Sequence, residues 1–219
     1  MKNKYQIQLK HTRISGLHLQ HLNKCQTEEL CRIAVKQNGL ALQYVVDEFK
    51  TDEIINLAVE QNSFSFEFVP GYMITYKLCC KAVSINGMIL QFIPKYMMTD
   101  ELYYKAVYQN GNALKYIDNP SDELCMISCK QDYSNICYIK KEISYDFLLK
   151  LIKLNGKTLN YIENYISKKI TDKQFYNLYL EAMKQNVEYI NYVYYYYNKQ
   201  YNTNHIIRQI FFDIIEPIF

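Results

Sequence analysis

Apolar residues along this chain fall three, four, seven and eight places after a recurring Thr or Ser. Leu30, Cys31, Ala34 and Val35 follow Thr27; Ile54, Ile55, Ala58 and Val59 follow Thr51; Leu78, Cys79, Ala82 and Val83 follow Thr75; and Leu102, Tyr103, Ala106 and Val107 follow Thr99. That spacing paints a single stripe down an α-helix, and it predicts a helix in each unit. Ser121 and Ser144 open two looser units, with Leu124 and Phe147 in the first apolar column. Each opening hydroxyl is placed to cap a helix N-terminus. The acids that often follow it (Glu28-Glu29, Asp52-Glu53, Asp100-Glu101, Asp122-Glu123) sit where the helix dipole favours negative charge. Their recurrence at one address makes them capping residues rather than paired carboxylates for acid/base catalysis. The small residues Ala34, Ala58, Ala82 and Ala106 leave room for close approach of a neighbouring element.

Asn38, Asn62, Asn86 and Asn110 recur with one fixed period of 24 residues. A period of this length means a chain built by stacking one small unit. Gly16, Gly39, Gly87, Gly111 and Gly156 share one repeat position, and a glycine there is expected to end the helix in a left-handed C-cap. One glycine per unit is too few for a phosphate-binding loop. A shorter segment follows, such as Leu42-Gln43-Tyr44-Val45 or Leu114-Lys115-Tyr116-Ile117, before Pro70, Pro94 or Pro120 ends it. Read as a helix, it makes the protein an all-α, right-handed α-solenoid of helix–turn–helix repeats. Read as a strand, it makes an α/β horseshoe of leucine-rich-repeat type, and the missing Asn or Cys at the strand end weighs against this. The array is expected to be one repeat domain over residues 1–219. Residues 1–26 would form an N-terminal cap with half a repeat, 27–170 six repeats, and 171–219 a degenerate repeat with a C-terminal capping helix. Terminal units depart from a consensus because they seal an otherwise exposed core.

Hydrophobic residues at 49% and charged residues at 21% describe a folded protein. A net charge of +3 is too mild to demand a nucleic-acid partner. Seven cysteines, several inside apolar helical patterns and none in a C-x-x-C pair, suggest buried thiols in a reducing compartment, and so a cytoplasmic protein. No apolar run reaches about 18 residues, so no membrane-spanning helix is expected. The acid-free start, with Lys2, Lys4, Lys10, Arg13 and Lys24 ahead of Glu28, could be read as an organelle presequence. Against that, Gly16-Leu17-His18-Leu19-Gln20-His21-Leu22 echoes Gly39-Leu40-Ala41-Leu42-Gln43-Tyr44-Val45.

Written out in this way, the chain resembles a tandem-repeat family catalogued as domain of unknown function 4116. Its phrase Ala-Val-Lys-Gln-Asn-Gly followed by Leu-x-Leu-x-Tyr is met by Ala34 to Gly39 and Leu40 to Tyr44. The likeness runs from about Thr27 to Ile162, and the fifth unit departs from it with Asp132-Tyr133 in place of Asn-Gly. The resemblance implies a repeat architecture and, since members are frequent in giant viruses of amoebae and occur in some bacteria, a possible viral origin with a place in the host cytoplasm. It carries no family activity.

In repeat proteins the core columns stay alike while exposed columns vary with the ligand. Here the variable columns place Lys81, Tyr104, Lys105, Tyr108 and Lys130 together on the central units. Tyrosines supply contact area and lysines supply steering, which suits a protein or peptide partner with acidic residues. The function expected is a non-catalytic binding scaffold with no cofactor, no metal and no membrane partner. A solvated helix face accounts for the same residues without any ligand. Single-stranded nucleic acid is the alternative partner, although a base-reading code would repeat amide, Arg or aromatic residues in every unit, and Glu60, Ser84, Met126 and Leu149 break that pattern. His18, His21 and Cys25 could group as metal ligands but match no known zinc signature. The apolar ending Ile214-Ile215-Glu216-Pro217-Ile218-Phe219 suggests weak homodimerisation through that end.

Overall fold

The computed structural model describes residues 2–22, 25–166 and 171–185. Among them every regular element is helical, in a tandem array of short helices, and the α/β alternative falls away. The chain divides into two compact units, Met1–Ile117 and Asp118–Phe219, where the sequence predicts one continuous array. The division falls at a shortened connection. Ile93 is joined to Thr99 through a turn of 3₁₀ helix at Lys95–Met97, whereas Ile117 reaches Ser121 with no such turn.

In the first unit, α1 (Lys2–Ile14), α2 (Glu28–Gln37), α3 (Asp52–Gln61), α4 (Tyr76–Ile85) and α5 (Asp100–Gln109) are each followed by a six-residue 3₁₀ helix. These begin at Gly16, Gly39, Ser63, Gly87 and Gly111. The second element is therefore a tight helix, and residues 2–21 contain the same pair of elements as the later repeats. In the second unit, α6 (Asp122–Gln131) and its 3₁₀ helix Tyr133–Tyr138 keep the plan. After α7 (Tyr145–Leu154) the 3₁₀ turn Gly156–Thr158 runs on into α8 (Leu159–Ile166), and α9 (Asp172–Met183) follows.

Each α-helix from α2 to α7 starts at its expected cap. Thr27, Thr51, Thr75, Thr99, Ser121 and Ser144 accept from the amides of Leu30, Ile54, Leu78, Leu102, Leu124 and Phe147 at 3.2–3.4 Å. Asn at the far end has a double role. Its backbone turns extended (Asn38 φ −150°, ψ 110°) and stops the α-helix, while its side chain caps the 3₁₀ helix that follows. Asn38 Oδ1 accepts from Leu40 N at 3.0 Å, and Asp132 performs the same service for Ser134 N at 2.9 Å. The departure of the fifth unit from Asn thus conserves the chemistry. Hydrogen bonds from the Ser134 hydroxyl and amide also hold the Asp132 carboxyl below its ordinary range.

The apolar columns are buried as the pattern predicts. Leu30, Ala34, Val35, Ile54, Ala58, Val59, Ala82, Val83, Leu102, Ala106 and Val107 have no exposed surface, and Leu42, Leu90 and Leu114 from the 3₁₀ helices complete the core of the first unit. Burial raises the thiols of Cys31 and Cys129 to about 12 and those of Cys79 and Cys125 to about 11, so they pack as small apolar groups. The expected capping helix at 206–215 and the dimerising tail lie outside the described residues.

The glycine column needs a correction. Gly16, Gly39, Gly87 and Gly156 do not adopt the left-handed backbone expected of a C-cap; they open the 3₁₀ helices and are needed for close approach. A Cβ at Gly16 would lie 2.2 Å from the carbonyl oxygen of Ala34, at Gly39 2.4 Å from that of Ala58, and at Gly87 2.1 Å from that of Ala106. Each glycine is pressed against the Ala column of the next repeat, and any side chain there would force the two apart.

Candidate binding cleft

The close contact at each glycine is locked by a glutamine at the C-terminal end of the next α-helix. Gln37 accepts from Gly16 N at 2.7 Å and donates to Ile14 O at 3.3 Å. Gln109 accepts from Gly87 N at 2.6 Å and donates to Ile85 O at 3.1 Å. Gln61 holds Gly39 N and Gln37 O in the same way. In the second unit Gln185, on the turn after α9, accepts from Gly156 N at 2.8 Å and donates to Ile152 O at 2.7 Å. One side-chain amide thereby satisfies a donor and an acceptor left over at the end of the preceding helix. The sequence shows this column as a Gln ahead of Asn at 37, 61, 109 and 185, but a surface Gln has no assignable partner until the stacking is known.

Two junctions lack both halves of the clamp. Between α3 and α4, Ser63 stands at the glycine position and Ile85 at the glutamine position; between α6 and α7, Tyr133 and Leu154 do so. Ile85 is 40% exposed and Leu154 51%, as befits apolar side chains in a place shaped for an amide. The spacing responds. α3 and α4 approach each other much less closely than α2 and α3 or α4 and α5, and their 3₁₀ helices are likewise further apart.

The gap at the α3–α4 junction is a cavity of about 720 Å³ lined by corresponding turns of the two helices. Ile55, Leu78 and Met73 give it an apolar surface; Asp52, Asn56, Thr75, Lys77 and Lys81 supply polar groups. Lys81 Nζ reaches back across the junction to Glu60 Oε1 at 2.6 Å and donates to Asn56 Oδ1 at 2.8 Å. The Asp52 carboxylate and the Lys77 ammonium line the cavity and, among the described residues, make no hydrogen bond or ion pair.

By contrast the α4–α5 junction is sealed. The Tyr76 hydroxyl lies 2.9 Å from Thr99 Oγ1 and donates to Glu101 Oε2 at 3.0 Å. Glu101 is also paired with Lys105, whose hydrogen bond lowers the carboxyl and raises the ammonium from their ordinary values. Lys105 Nζ is 4.0 Å from Cys80 Sγ of α4. Tyr104 is half-buried on α5 and Tyr108 is 66% exposed there. Lys130 is exposed on α6, in the second unit. Lys81 and Lys105 are both spent on internal ion pairs, which sequence spacing could not show. Lys77, absent from the sequence-predicted set, is the cleft lysine left open.

The His rings of the first unit cluster, with centroids 5.0 Å apart for His11 and His18 and 5.5 Å for His18 and His21. Burial, then the charges of its two neighbours, lowers His18 from the ordinary imidazole value. Among the described residues no group of three or more His, Cys, Asp or Glu converges to hold a metal ion. Nor is any described helix long and apolar enough to cross a membrane.

Units of one α-helix and one 3₁₀ helix, repeated in tandem, define a helical-repeat protein. Residues 27–74 and 77–120 each match the family described as Domain of unknown function (DUF4116), and this part of the chain carries two tandem copies of that domain. Each copy spans two of the 24-residue repeats, and the seam between the copies coincides with the α3–α4 junction. No curated protein and no solved structure matches the chain.

Proposed function

We propose that this protein is a non-catalytic repeat scaffold that binds a protein or peptide partner on the exposed face of its central repeats, in the cytoplasm and, for a viral protein, in that of the host. The reading is carried by the α3–α4 cleft, where apolar Ile55, Leu78 and Met73 adjoin polar groups in a concave space between rigid helices. Mixed lining of this kind buries an apolar anchor and orients it with a few hydrogen bonds. On the neighbouring helix α5, half-buried Tyr104, Lys105 and exposed Tyr108 add aromatic contact area. Pairing of Arg32 with Glu28 and Glu53, of Lys81 with Glu60 and of Lys105 with Glu101 leaves little unbalanced positive charge there, which favours a peptide over a nucleic-acid backbone.

Affinity capture with the full chain, with and without nuclease, tests this reading against a Tyr104→Ala, Lys105→Ala, Tyr108→Ala variant. A nuclease-resistant protein that rebinds in purified form, and is lost with the variant, is the expected result. Recovery of RNA, or of partners that vanish with nuclease, would overturn it in favour of nucleic-acid binding.

A further inference from the structure

The α3–α4 opening lies at a junction that departs from the repeat at both clamp positions. Ala58 and Val59 before it and Ala82 and Val83 after it hold the consensus core, fully buried. At the contact positions, Ser63 and Ile85 stand where the closed junctions carry Gly and Gln. Ser63 stands at the repeat position where Gly39 faces Ala58 and Gly87 faces Ala106, and it carries the Cβ that those glycines lack; α4 approaches α3 less closely than it approaches α5. Ile85 has no amide with which to pull it back.

Resting on the scaffold reading, we propose that this cleft is the docking slot for an extended peptide segment of the partner, which lays an apolar side chain on Ile55, Leu78 and Met73 and sets a carboxylate on Lys77. Charge complementarity selects this occupant. The helices α2, α3, α5 and α6 each begin with two acids, whereas α4 carries Tyr76 and Lys77 at those places. Arg32, Lys81 and Lys105 are paired with neighbouring carboxylates, while Lys77 lines the cavity and makes no ion pair among the described residues. Asp52, the other open charge, is an acceptor for a backbone N–H of the same segment. An unpaired lysine beside an apolar surface contributes most when its partner brings both the carboxylate and the cover that excludes water.

The test uses a phage-displayed library of random 12-residue peptides selected on the full chain, with selected peptides then titrated by fluorescence anisotropy. Peptides placing a large apolar residue next to Asp or Glu are expected. Two variants decide the site. Ser63→Gly with Ile85→Gln restores the clamp and closes the cleft; it should unfold at higher denaturant and bind about tenfold or more weakly. Lys77→Glu should lose about tenfold and recover when the acid of the peptide is changed to Lys. Undiminished binding to the clamped variant, or selected peptides without the acidic and apolar pair, would overturn the proposal. So would displacement of the peptides by a single-stranded oligonucleotide, or self-association of the chain that the clamp abolishes. If a captured partner still binds the clamped variant but not the Tyr104, Lys105, Tyr108 variant, the cleft assignment fails and the scaffold stands; if neither library nor capture yields a ligand, the scaffold reading itself fails.

Discussion

The α4–α5 and α3–α4 junctions are built from the same repeat, one register apart, yet one is closed and the other holds a cavity. At the first, Gly87 lets the Ala106 carbonyl approach and Gln109 locks it; at the second, Ser63 and Ile85 do neither. The α6–α7 junction, with Tyr133 and Leu154, also lacks the clamp and its helices approach less closely, while Gly156 and Gln185 close α7 against α9 across a longer connection. Glycine and glutamine are thus one device. Where both are present, the amide takes the glycine N–H and the carbonyl two residues before it.

The largest effect should come from forcing a closed junction open. Gly87→Val puts a branched side chain into the Ala106 backbone and should cost about 3 kcal/mol or more in urea unfolding. Gly71→Ala, where an added Cβ meets nothing within 4 Å, should leave the midpoint nearly unchanged. Comparable losses at the two positions would show that intrinsic backbone freedom, rather than proximity, sets the glycine requirement. Removing the lock alone is a smaller perturbation: Gln109→Ala strands Gly87 N–H and Ile85 C=O and should cost about 1–2 kcal/mol. In the opposite sense, Ser63→Gly with Ile85→Gln should raise stability by about 1 kcal/mol, with the gain absent from either single change. The smallest effect belongs to the ion pair that spans the open junction. Lys81→Met should shift stability by less than about 1 kcal/mol, because Lys81 and Glu60 are both substantially exposed, and the shift should fade as salt rises.

Much of this architecture was legible in the chain. The hydroxyl caps, the four apolar columns and the period of 24 fix the α-helices to the residue, because each depends on neighbours within two turns. The short second element was harder. Six residues between a capping Asn and a Val or Ile suit a strand or a helix equally by periodicity, and Asn38, by capping Leu40 N, decides for the 3₁₀ form. For the candidate site, spacing gathered Lys81 and Lys105 on one face but could not see that Glu60 and Glu101 hold them. Lys77 escaped notice because it occupies a cap-region position where other units carry an acid.

What the sequence determined by itself is the unit and its repetition: local hydrogen bonds and an apolar stripe are encoded within about ten consecutive residues. How tightly each unit seats on the next was decided only in three dimensions. That seating depends on a carbonyl some twenty residues away from the glycine it touches, and on a glutamine whose partners are main-chain atoms and so leave no trace in side-chain pattern. The cleft lies at a junction where Ser63 and Ile85 stand in place of Gly and Gln, and no local rule connects those two positions until the helices are stacked.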